Sequence, residues 1–183
     1  MSKWRNFWGH LATINHHKRL VMEHCFKCGL IWQGLMHDLS KYSWEEFKIG
    51  ILYFQGDKSP NGEERRLFGF SRAWLHHKGR NKHHLEYWVD YSTDKQVMGL
   101  IGCDMPKKYI AEMLCDRIAA CKNYHGKAYT DADPYEYFMG NHKEQSIIHP
   151  KTREDLEMLL IMLRDKGEKE TFRYVRKVYL KNK

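Results

Sequence analysis

The residues best suited to chemistry lie in the segment from Gly34 to Lys41, where His37 and Asp38 are adjacent. Imidazole and carboxylate groups bind divalent transition metals and also act as general acids or bases. Neighbouring residues on a helix point about 100° apart, so both side chains can reach one ion if it lies over the end of the helix. The pair therefore marks a candidate metal site.

A second candidate ligand, His17, lies on the apolar stripe of the first predicted helix. The stripe follows alternating spacings of four and three residues, which is typical of one face of an amphipathic helix. Its members are His10, Ile14, His17, Val21, His24 and Cys28. A shift of one residue exchanges His17 for His16, and the sequence leaves that choice open. We interpret His10 and His24 as histidines at the edge of the core that bond to backbone carbonyls.

The third candidate, Asp116, has helical spacing from Met113 and Ala120 and should also face the interior. A buried carboxylate needs a cation or several donors to offset its desolvation. A salt bridge to Arg19 or Arg117 is the alternative to metal binding. With the three residues above, it would complete a mixed imidazole and carboxylate cage, which suits Mn, Fe, Co, Ni or Zn better than Ca or Mg alone.

Histidine is unusually abundant, with 12 residues in a chain of 183, and four lie between positions 76 and 84. We expect at least one of these four to be a ligand, and we favour His77 and His84 over His76 and His83. The alternative is a solvated basic loop, since three cations are interleaved with them. These cations are Lys78, Arg80 and Lys82. We assign no catalytic role to the later histidines, His125, His142 and His149.

Together these positions resemble the H…HD…D signature of the HD-domain superfamily of metal-dependent phosphohydrolases. The signature residues are His17, the His37-Asp38 pair and Asp116. The longer segments 37–43, 74–88 and 112–116 resemble a bacterial and phage branch of that superfamily. The resemblance covers approximately residues 10–125. Members are all-helical and hold one or two divalent metal ions.

The resemblance implies a metal centre built from the signature residues. His17, His37, Asp38 and Asp116 would hold the first ion, and Asp38 would bridge to a second. Members with two ions bring in further histidines, at positions that correspond here to His77, His83 and His84. The implied cofactor is one or two ions of Mn, Fe, Co, Ni, Zn or Mg.

The implied activity is hydrolysis of a phosphate ester or anhydride by a metal-activated water, with a nucleotide or another small phosphorylated molecule as substrate. Lys41 follows the motif and would face phosphate, the alternative being a lysine that only pairs with a carboxylate. Asp38, Asp116 and His77 would serve the metal-bound water and its protons. The interleaved cations would attract the substrate; they are Lys78, Arg80 and Lys82. Three aromatic residues could stack on a base, although helical spacing more often places such residues in a core. They are Trp74, Tyr87 and Trp88.

Two other classes of function use the same features. Some HD-fold proteins hold a mixed-valent di-iron centre that activates oxygen, and the extra histidines would supply its ligands. A non-catalytic nucleic-acid-binding protein is also compatible, because 31 Lys and Arg against 23 Asp and Glu leave a net charge of +8. The basic segment 166–183 contributes much of that excess, and a solvated helix face explains it more simply.

Helices must position these residues, and we predict an all-α fold in one domain, residues 1–183. An HD-like metal-binding core at approximately 10–125 would form a compact bundle, with additional C-terminal helices at approximately 126–183. Capping boxes are predicted at Ser43–Glu46 and Thr152–Asp155. No segment indicates a β-hairpin. The predicted helices lie at 9–29, 30–38, 43–54, 63–75, 85–91, 106–124, from 133, at 152–167 and at 168–180.

Compartment and redox state follow from what the sequence lacks. No run approaches the roughly 20 apolar residues that cross a bilayer, and we expect a soluble, cytoplasmic protein without a membrane partner. The five cysteines form no regular framework, which favours reduced thiols. We interpret the Cys25 and Cys28 pair as structural. The oligomeric state is left open.

Overall fold

Helices make up most of the chain, as predicted. The computed structural model describes residues 3–56, 58–96, 99–140 and 147–181. Within these ranges no helix combines the length and apolar character needed to cross a bilayer. The helices are α1 (Lys3–Cys28), α2 (Ile31–Met36), α3 (Trp44–Leu52), α4 (Pro60–Phe68), α5 (Arg72–Lys78), α6 (Lys107–His125), α7 (Asp133–Gly140) and α8 (Pro150–Tyr174). The all-α fold class is confirmed.

Shorter elements connect these helices. Short 3-10 turns occur at Leu39–Tyr42, Leu85–Tyr87 and Gly126–Ala128, and a π-helical turn at Val175–Tyr179 follows α8. Strands β1 (Val89–Tyr91) and β2 (Leu100–Gly102) pair antiparallel, with Asp90 opposite Ile101.

Helix α1 contacts α2, α3, α6 and α8 and so organises the molecule. Its predicted stripe is buried along its whole length, which confirms the helical period; the buried members are His10, Ile14, His17, Val21, His24 and Cys28. His16 is exposed, so the structure resolves the choice between neighbours in favour of His17.

The apolar core lies between α1, α6, α7 and α8. Full burial of one such aliphatic side chain contributes about 1.5–3 kcal/mol. Its fully buried members include Val21, Cys25, Ile110, Leu114, Ile118, Phe138, Leu156, Leu160 and Leu163. The five cysteines are free thiols, and Cys28 Sγ lies 3.8 Å from Cys115 Sγ inside this core. The structural interpretation of the Cys25 and Cys28 pair agrees with that burial.

Several predicted boundaries are wrong. The helix expected over 30–38 ends at Met36. The helix expected over 63–75 is two helices, because Gly69 ends α4 at a φ of 79° and the Ser71 hydroxyl accepts a hydrogen bond from Trp74 N to begin α5. The segment 85–91 forms a 3-10 turn and β1 rather than a helix. The hairpin escaped prediction because strands of three residues are too short to show alternation.

Both predicted capping boxes are also wrong. The Ser43 side chain makes no capping bond at α3. Helix α8 begins earlier than expected, with His149 as its N-cap residue, so Thr152 lies inside it. The Thr152 hydroxyl instead accepts from Met105 N at 3.0 Å, and Asp155 accepts from the Tyr179 hydroxyl at 2.9 Å. These polar residues join α8 to other segments instead of capping it.

The expected helix end at Gly167 is a kink within α8. Gly167 has φ 76° and ψ 172°, a backbone conformation open to glycine and strained for other residues. Beyond the kink, the basic segment buries Thr171, Phe172 and Val175 and exposes its cations. The kink therefore lets the last part of α8 pack on the core in a new direction.

Candidate metal centre

A turn, not a helix, presents the His37-Asp38 pair. After Met36 the backbone becomes extended at His37, with φ −52° and ψ 127°, and left-handed at Asp38, with φ 53° and ψ 26°. Among the described residues Asp38 alone combines a positive φ with a side chain, and aspartate is one of the few residues that tolerate this conformation. Lys18 on α1 holds the turn, since its ammonium donates to the carbonyls of Leu35 at 2.9 Å and His37 at 2.8 Å.

The four signature residues meet at one point. One ligand atom from each lies within 4.8 Å of every other; the residues are His17, His37, Asp38 and Asp116. His17 Nε2 lies 2.9 Å from Asp116 Oδ1, and His37 Nε2 lies 3.3 Å from Asp38 Oδ2. Helix α1, the turn and α6 thus build the first group that could hold a metal ion.

A second group forms on the other side of Asp38 and includes both predicted histidines of the 76–84 segment. Its members are Asp38, His77, His83 and His84. Asp38 Oδ1 lies 3.3 Å from His77 Nε2 and 3.4 Å from His83 Nε2. His83 was not favoured from the sequence, yet its side chain is buried. The two oxygens of Asp38 therefore face different histidines.

Glu112 on α6 contacts one histidine of each group, and with these two histidines it forms a third group that could hold an ion. The sequence analysis missed it. Its Oε1 lies 3.0 Å from His37 Nδ1 and 3.1 Å from His83 Nδ1. Carboxylates that accept from the second nitrogen of a histidine fix the ring and its tautomer for metal binding. The available signal was its spacing, because Glu112 lies one helical turn before Asp116 on the same face.

Glu46 on α3 plays the same part for the second group. Its Oε2 lies 2.8 Å from His77 Nδ1, and its Oε1 lies 2.6 Å from His76 Nδ1. The sequence analysis had placed Glu46 in a capping box. In the structure its carboxylate faces the histidines of α5, so His76 contacts a carboxylate and belongs to neither metal group.

Buried atoms without hydrogen-bond partners converge at the centre. They are His17 Nε2, His37 Nε2, both carboxylate oxygens of Asp38, His83 Nε2 and His84 Nε2. A buried polar atom without a partner costs about 1–3 kcal/mol, so such a concentration needs a physical account. Imidazole nitrogens and carboxylate oxygens are transition-metal ligands, and the residues fit one or two divalent ions.

The carboxylates of the centre stay ionised although they are buried. Burial favours the neutral acid, but His37 and Lys41 outweigh it and hold the pKa of Asp38 well below its usual range. Burial likewise opposes the charge of Lys41, while Asp38 and Asp116 raise the pKa of its ammonium. Lys41 Nζ lies 2.5 Å from Asp38 Oδ2. The centre is thus anionic and already attracts a cation.

Two adjoining cavities, each of about 270 Å³, open onto the centre. They share a wall of Trp74, His84, Asp116, Ala120, Tyr124 and Tyr137. The first cavity also reaches His17, His77 and two cations, Lys41 and Lys58. The second reaches His83 and Arg117. A ligand in either cavity would contact both the candidate metal centre and positive charge.

The cations predicted to bind substrate lie elsewhere. Neither cavity is lined by Lys78, Arg80 or Lys82. The Arg80 guanidinium donates a hydrogen bond to the carbonyl of His76 at 3.5 Å. The Lys82 ammonium lies 5.6 Å from the centre of the Tyr87 ring. Arg80 and Lys82 are exposed and Lys78 is half-buried, whereas His77 and His83 on either side of them are buried.

A family model matches residues 6–162, and it describes a family of unknown function, DUF5662. The chain belongs to the DUF5662 family. No curated protein and no solved structure matches it. The matched range contains every residue of the candidate metal groups, whereas the whole basic segment 166–183 lies beyond it. The candidate metal centre therefore lies in the DUF5662 part of the chain.

Of the three aromatic residues predicted as possible stacking partners for a base, two lie outside the cavities of this DUF5662 protein. Trp74 lines both cavities, but Tyr87 and Trp88 line neither. The indole of Trp88 donates to the carbonyl of Lys82 at 2.7 Å and its ring packs against the core. Tyr124 and Tyr137, which the sequence analysis did not single out, stand beside Trp74.

The other histidines of the DUF5662 chain have separate environments. His24 Nδ1 donates to the carbonyl of Cys115 at 3.3 Å, as predicted. His10 packs against Phe47 and Gly50, and burial, followed by the charge of Lys41, lowers its pKa to about 4. The last three lie outside the metal groups or outside the described residues. His125 pairs with Asp133, His149 precedes α8, and His142 lies outside the described residues.

Proposed function

We propose that the protein is a metal-dependent phosphohydrolase that acts on a nucleotide or another small phosphorylated molecule. The observation that carries the proposal is that the two carboxylate oxygens of Asp38 face two different groups of potential metal ligands. Its two buried oxygens face two sets of histidines beside cavities that contain cations, and Lys41 pairs with Oδ2. Paired metal positions next to positive charge are suited to phosphate ester hydrolysis.

Each group would hold one ion of Mn, Fe, Co, Ni, Zn or Mg. The first set is His17, His37, Asp38 and Asp116, and the second is Asp38, His77, His83 and His84. When bound, such ions lower the pKa of water and neutralise phosphate charge. The geometry favours two ions, because a single ion would leave part of the partnerless atoms unsatisfied.

Cations of the cavity walls would bind and orient the phosphate. Lys41 and Lys58 line the first cavity, and Arg117 lines the second. We assign phosphate contact to these residues rather than to Lys78, Arg80 and Lys82. Fixed positive charge directed at a phosphoryl group stabilises the charge that develops during its transfer.

Aromatic residues of the shared wall favour a nucleotide over a smaller phosphate ester. Trp74, Tyr124 and Tyr137 border both cavities, and Tyr124 and Tyr137 expose part of their rings. An aromatic face stacks on any nucleobase with about 1–3 kcal/mol per base. A base would lie against this wall while its phosphate approached the cations.

The test combines metal loading with a substitution that preserves the turn. Protein stripped by a chelator and reloaded with Mn, Co, Ni or Mg should release phosphate from at least one member of a nucleotide panel. Asp38→Asn, which tolerates the left-handed backbone but removes the charge, should lower both metal content and activity by about 100-fold or more. Asp165→Asn is the control, since Asp165 is exposed and pairs with Arg164 away from the candidate site.

Two results would contradict this proposal: wild-type protein that binds no metal, or Asp38→Asn that hydrolyses as fast as wild type. Iron content with oxygen-dependent turnover and no phosphate release would instead favour the di-iron oxygenase.

A basic groove on another part of the molecule favours a second candidate function, nucleic-acid binding. A cavity of about 570 Å³ lies between the end of α1 and the part of α8 beyond its kink. Its cations outnumber its single acid, Glu168; they are Lys27, Lys169, Arg173, Arg176 and Lys177. Phe172 forms its floor, with the Lys27 ammonium 5.7 Å from the ring centre. A phosphate backbone is the polyanion that such a groove would suit.

Salt dependence and a matched charge reversal test this second function. Fluorescence anisotropy with a labelled single-stranded oligonucleotide should show affinity that falls steeply between 50 and 200 mM salt, roughly tenfold or more. Replacing Lys169, Arg176 and Lys177 by Glu should abolish binding, whereas the same replacement of Lys78, Arg80 and Lys82 should retain most of it. Binding should also persist in His37→Ala. Equal losses in the two triple variants would contradict a specific groove.

A further inference from the structure

One carboxylate oxygen joins the two candidate metal groups. Glu112 is buried, and its Oε1 lies within hydrogen-bonding distance of the Nδ1 atoms of His37 at 3.0 Å and His83 at 3.1 Å. The two rings lie side by side, with centroids 4.4 Å apart. Their Nε2 atoms face different oxygens of one carboxylate, since His37 Nε2 lies 3.3 Å from Asp38 Oδ2 and His83 Nε2 lies 3.4 Å from Asp38 Oδ1.

A carboxylate at this position fixes the tautomer of both histidines. A neutral imidazole carries one N–H, and a carboxylate at Nδ1 keeps that proton there and leaves the Nε2 lone pair free for a metal. A carboxylate oxygen has two lone pairs and can accept from both rings at once. Glu112 therefore sets the tautomer and orientation of His37 in the first group and of His83 in the second.

We infer that Glu112 is a positioning residue that couples the two metal positions, so that a change in its carboxylate weakens binding at both. The inference rests on the metal-binding part of the proposed function and is independent of the phosphohydrolase reaction. It also predicts that occupancy of one position favours the other, since an ion on His37 or His83 fixes Glu112 against the neighbouring ring.

Glu46 provides a matched comparison within the same centre. Its Oε2 orients His77, which belongs to the second group alone, at 2.8 Å. Its other oxygen contacts His76, which belongs to neither group. Both residues are 6% exposed, so solvent accessibility does not distinguish them. Loss of charge at Glu46 should therefore affect one ion, and loss of charge at Glu112 should affect two.

Metal binding by Glu112→Gln and Glu46→Gln tests the coupling. Stripped proteins are titrated with Co²⁺ in a calorimeter, metal content is measured after gel filtration, and the visible absorption of bound Co²⁺ reports the ligand geometry. Wild type should bind two ions. Glu112→Gln should bind both with about 10–100-fold lower affinity and an altered spectrum, and Glu46→Gln should lose affinity at one position only.

Circular dichroism of the metal-free proteins is the control that shows whether each variant folds. If Glu112→Gln does not fold, Glu112→Asp keeps the charge but shortens the side chain by one methylene group, and the same loss at both positions is expected. The coupling is overturned if a folded Glu112 variant binds both ions like wild type, if it loses only one as Glu46→Gln does, or if wild type holds fewer than two. Two bound ions without phosphate release would overturn the hydrolase alone, and the Glu112 result would still stand.

Discussion

Asp38 is the residue on which both candidate metal positions depend. Its left-handed backbone, at φ 53°, costs roughly 1–2 kcal/mol for a residue other than glycine. That conformation directs its two oxygens to opposite groups, which a residue within a helix would not do. The strain is offset by the two bonds from Lys18 to the carbonyls that precede Asp38. Strain and function thus coincide at one position.

Replacement of Lys18 should expose that dependence. Lys18→Met keeps the apolar stem of the side chain but removes both hydrogen bonds to the carbonyls of Leu35 and His37. Bonds of a charged donor contribute about 1.5–3 kcal/mol each, and we expect a loss of about 2 kcal/mol in the free energy of unfolding together with weaker metal binding. Urea denaturation measures the first and Co²⁺ titration the second. Arg19→Met on the exposed side of α1 is the control and should change neither.

A pH effect is expected from His24, away from the metal centre. Burial, followed by the charge of Lys122, lowers its pKa from 6.5 to about 4. Between these values the unfolded chain binds a proton that the folded chain excludes. Stability therefore falls as the pH decreases through this window, by at most about 1.4 kcal/mol per pH unit.

His24→Asn isolates this effect, because asparagine retains an N–H donor for the Cys115 carbonyl but does not titrate. Urea denaturation from pH 4 to 7 should show wild type losing stability relative to the variant as the solution becomes more acid. If the stability of the two proteins changed with pH in parallel, titration of His24 would not be the cause.

Residue types and helical spacing predicted most of the centre. The apolar stripe pointed to His17, and the spacing of Asp116 correctly placed it near the ligand cluster. Two participants were missed, namely Glu46 and Glu112. His83 was named through the family resemblance but was not favoured on spacing, because adjacent residues of an irregular loop have no period. The two glutamates act through histidines on other elements, and a sequence does not reveal such contacts between distant segments.

At the scale of elements, the period of 3.6 residues predicted α1 and α6 well because each buries a long, continuous stripe. Short elements were predicted poorly. The turn at Asp38, the break between α4 and α5, and the hairpin each depend on a few residues whose conformation is set by neighbouring elements. Another irregular segment, the loop after α5, presents His83 and His84 of the second group.

The close approach of α1 and α3 gives a prediction at this scale. A Cβ at Gly50 would lie 1.9 Å from His10 Nε2, so Gly50→Ala must separate the two helices or displace the His10 ring. Overpacking of this kind costs about 1–3 kcal/mol. Because Glu46 lies one turn earlier on α3, affinity at the second metal position should fall as well.

Calorimetric metal titration and urea denaturation of Gly50→Ala provide the two measurements. Gly62→Ala on α4 is the control, since nothing lies within 4 Å of a Cβ there. Alanine in a helix is preferred over glycine by up to about 1 kcal/mol, so that variant should be as stable as wild type or more so. Similar losses in both variants would contradict the packing argument.

At the scale of the whole molecule, the candidate metal centre gathers side chains from several elements that also pack against one another. Its ligands come from α1, the Asp38 turn, α5, the loop after α5, and α6. Partnerless buried atoms make the metal-free centre a weak point between these segments. Bound ions would link all of them at once, so metal content should govern the stability of the entire fold.

Metal should accordingly raise the melting temperature. At a free concentration about 100 times the dissociation constant, binding adds about 2.7 kcal/mol, which corresponds to a shift of roughly 5–10 °C for a chain of this size. Differential scanning calorimetry with and without Mn²⁺ or Co²⁺ measures the shift, and a chelator should reverse it. Asp38→Asn should show almost none. An equal shift in that variant would mean that the ions bind elsewhere.

The sequence distance between His17 and Asp116 also determines when the centre can exist. During synthesis the ribosome releases α1 long before α6, so a nascent chain carries the first histidine without the last carboxylate. Contacts between residues far apart in the sequence form late, because closing the long loop between them costs conformational entropy. Acquisition of metal would then require that α6 has packed against α1, and the absorption of bound Co²⁺ would report that step during refolding.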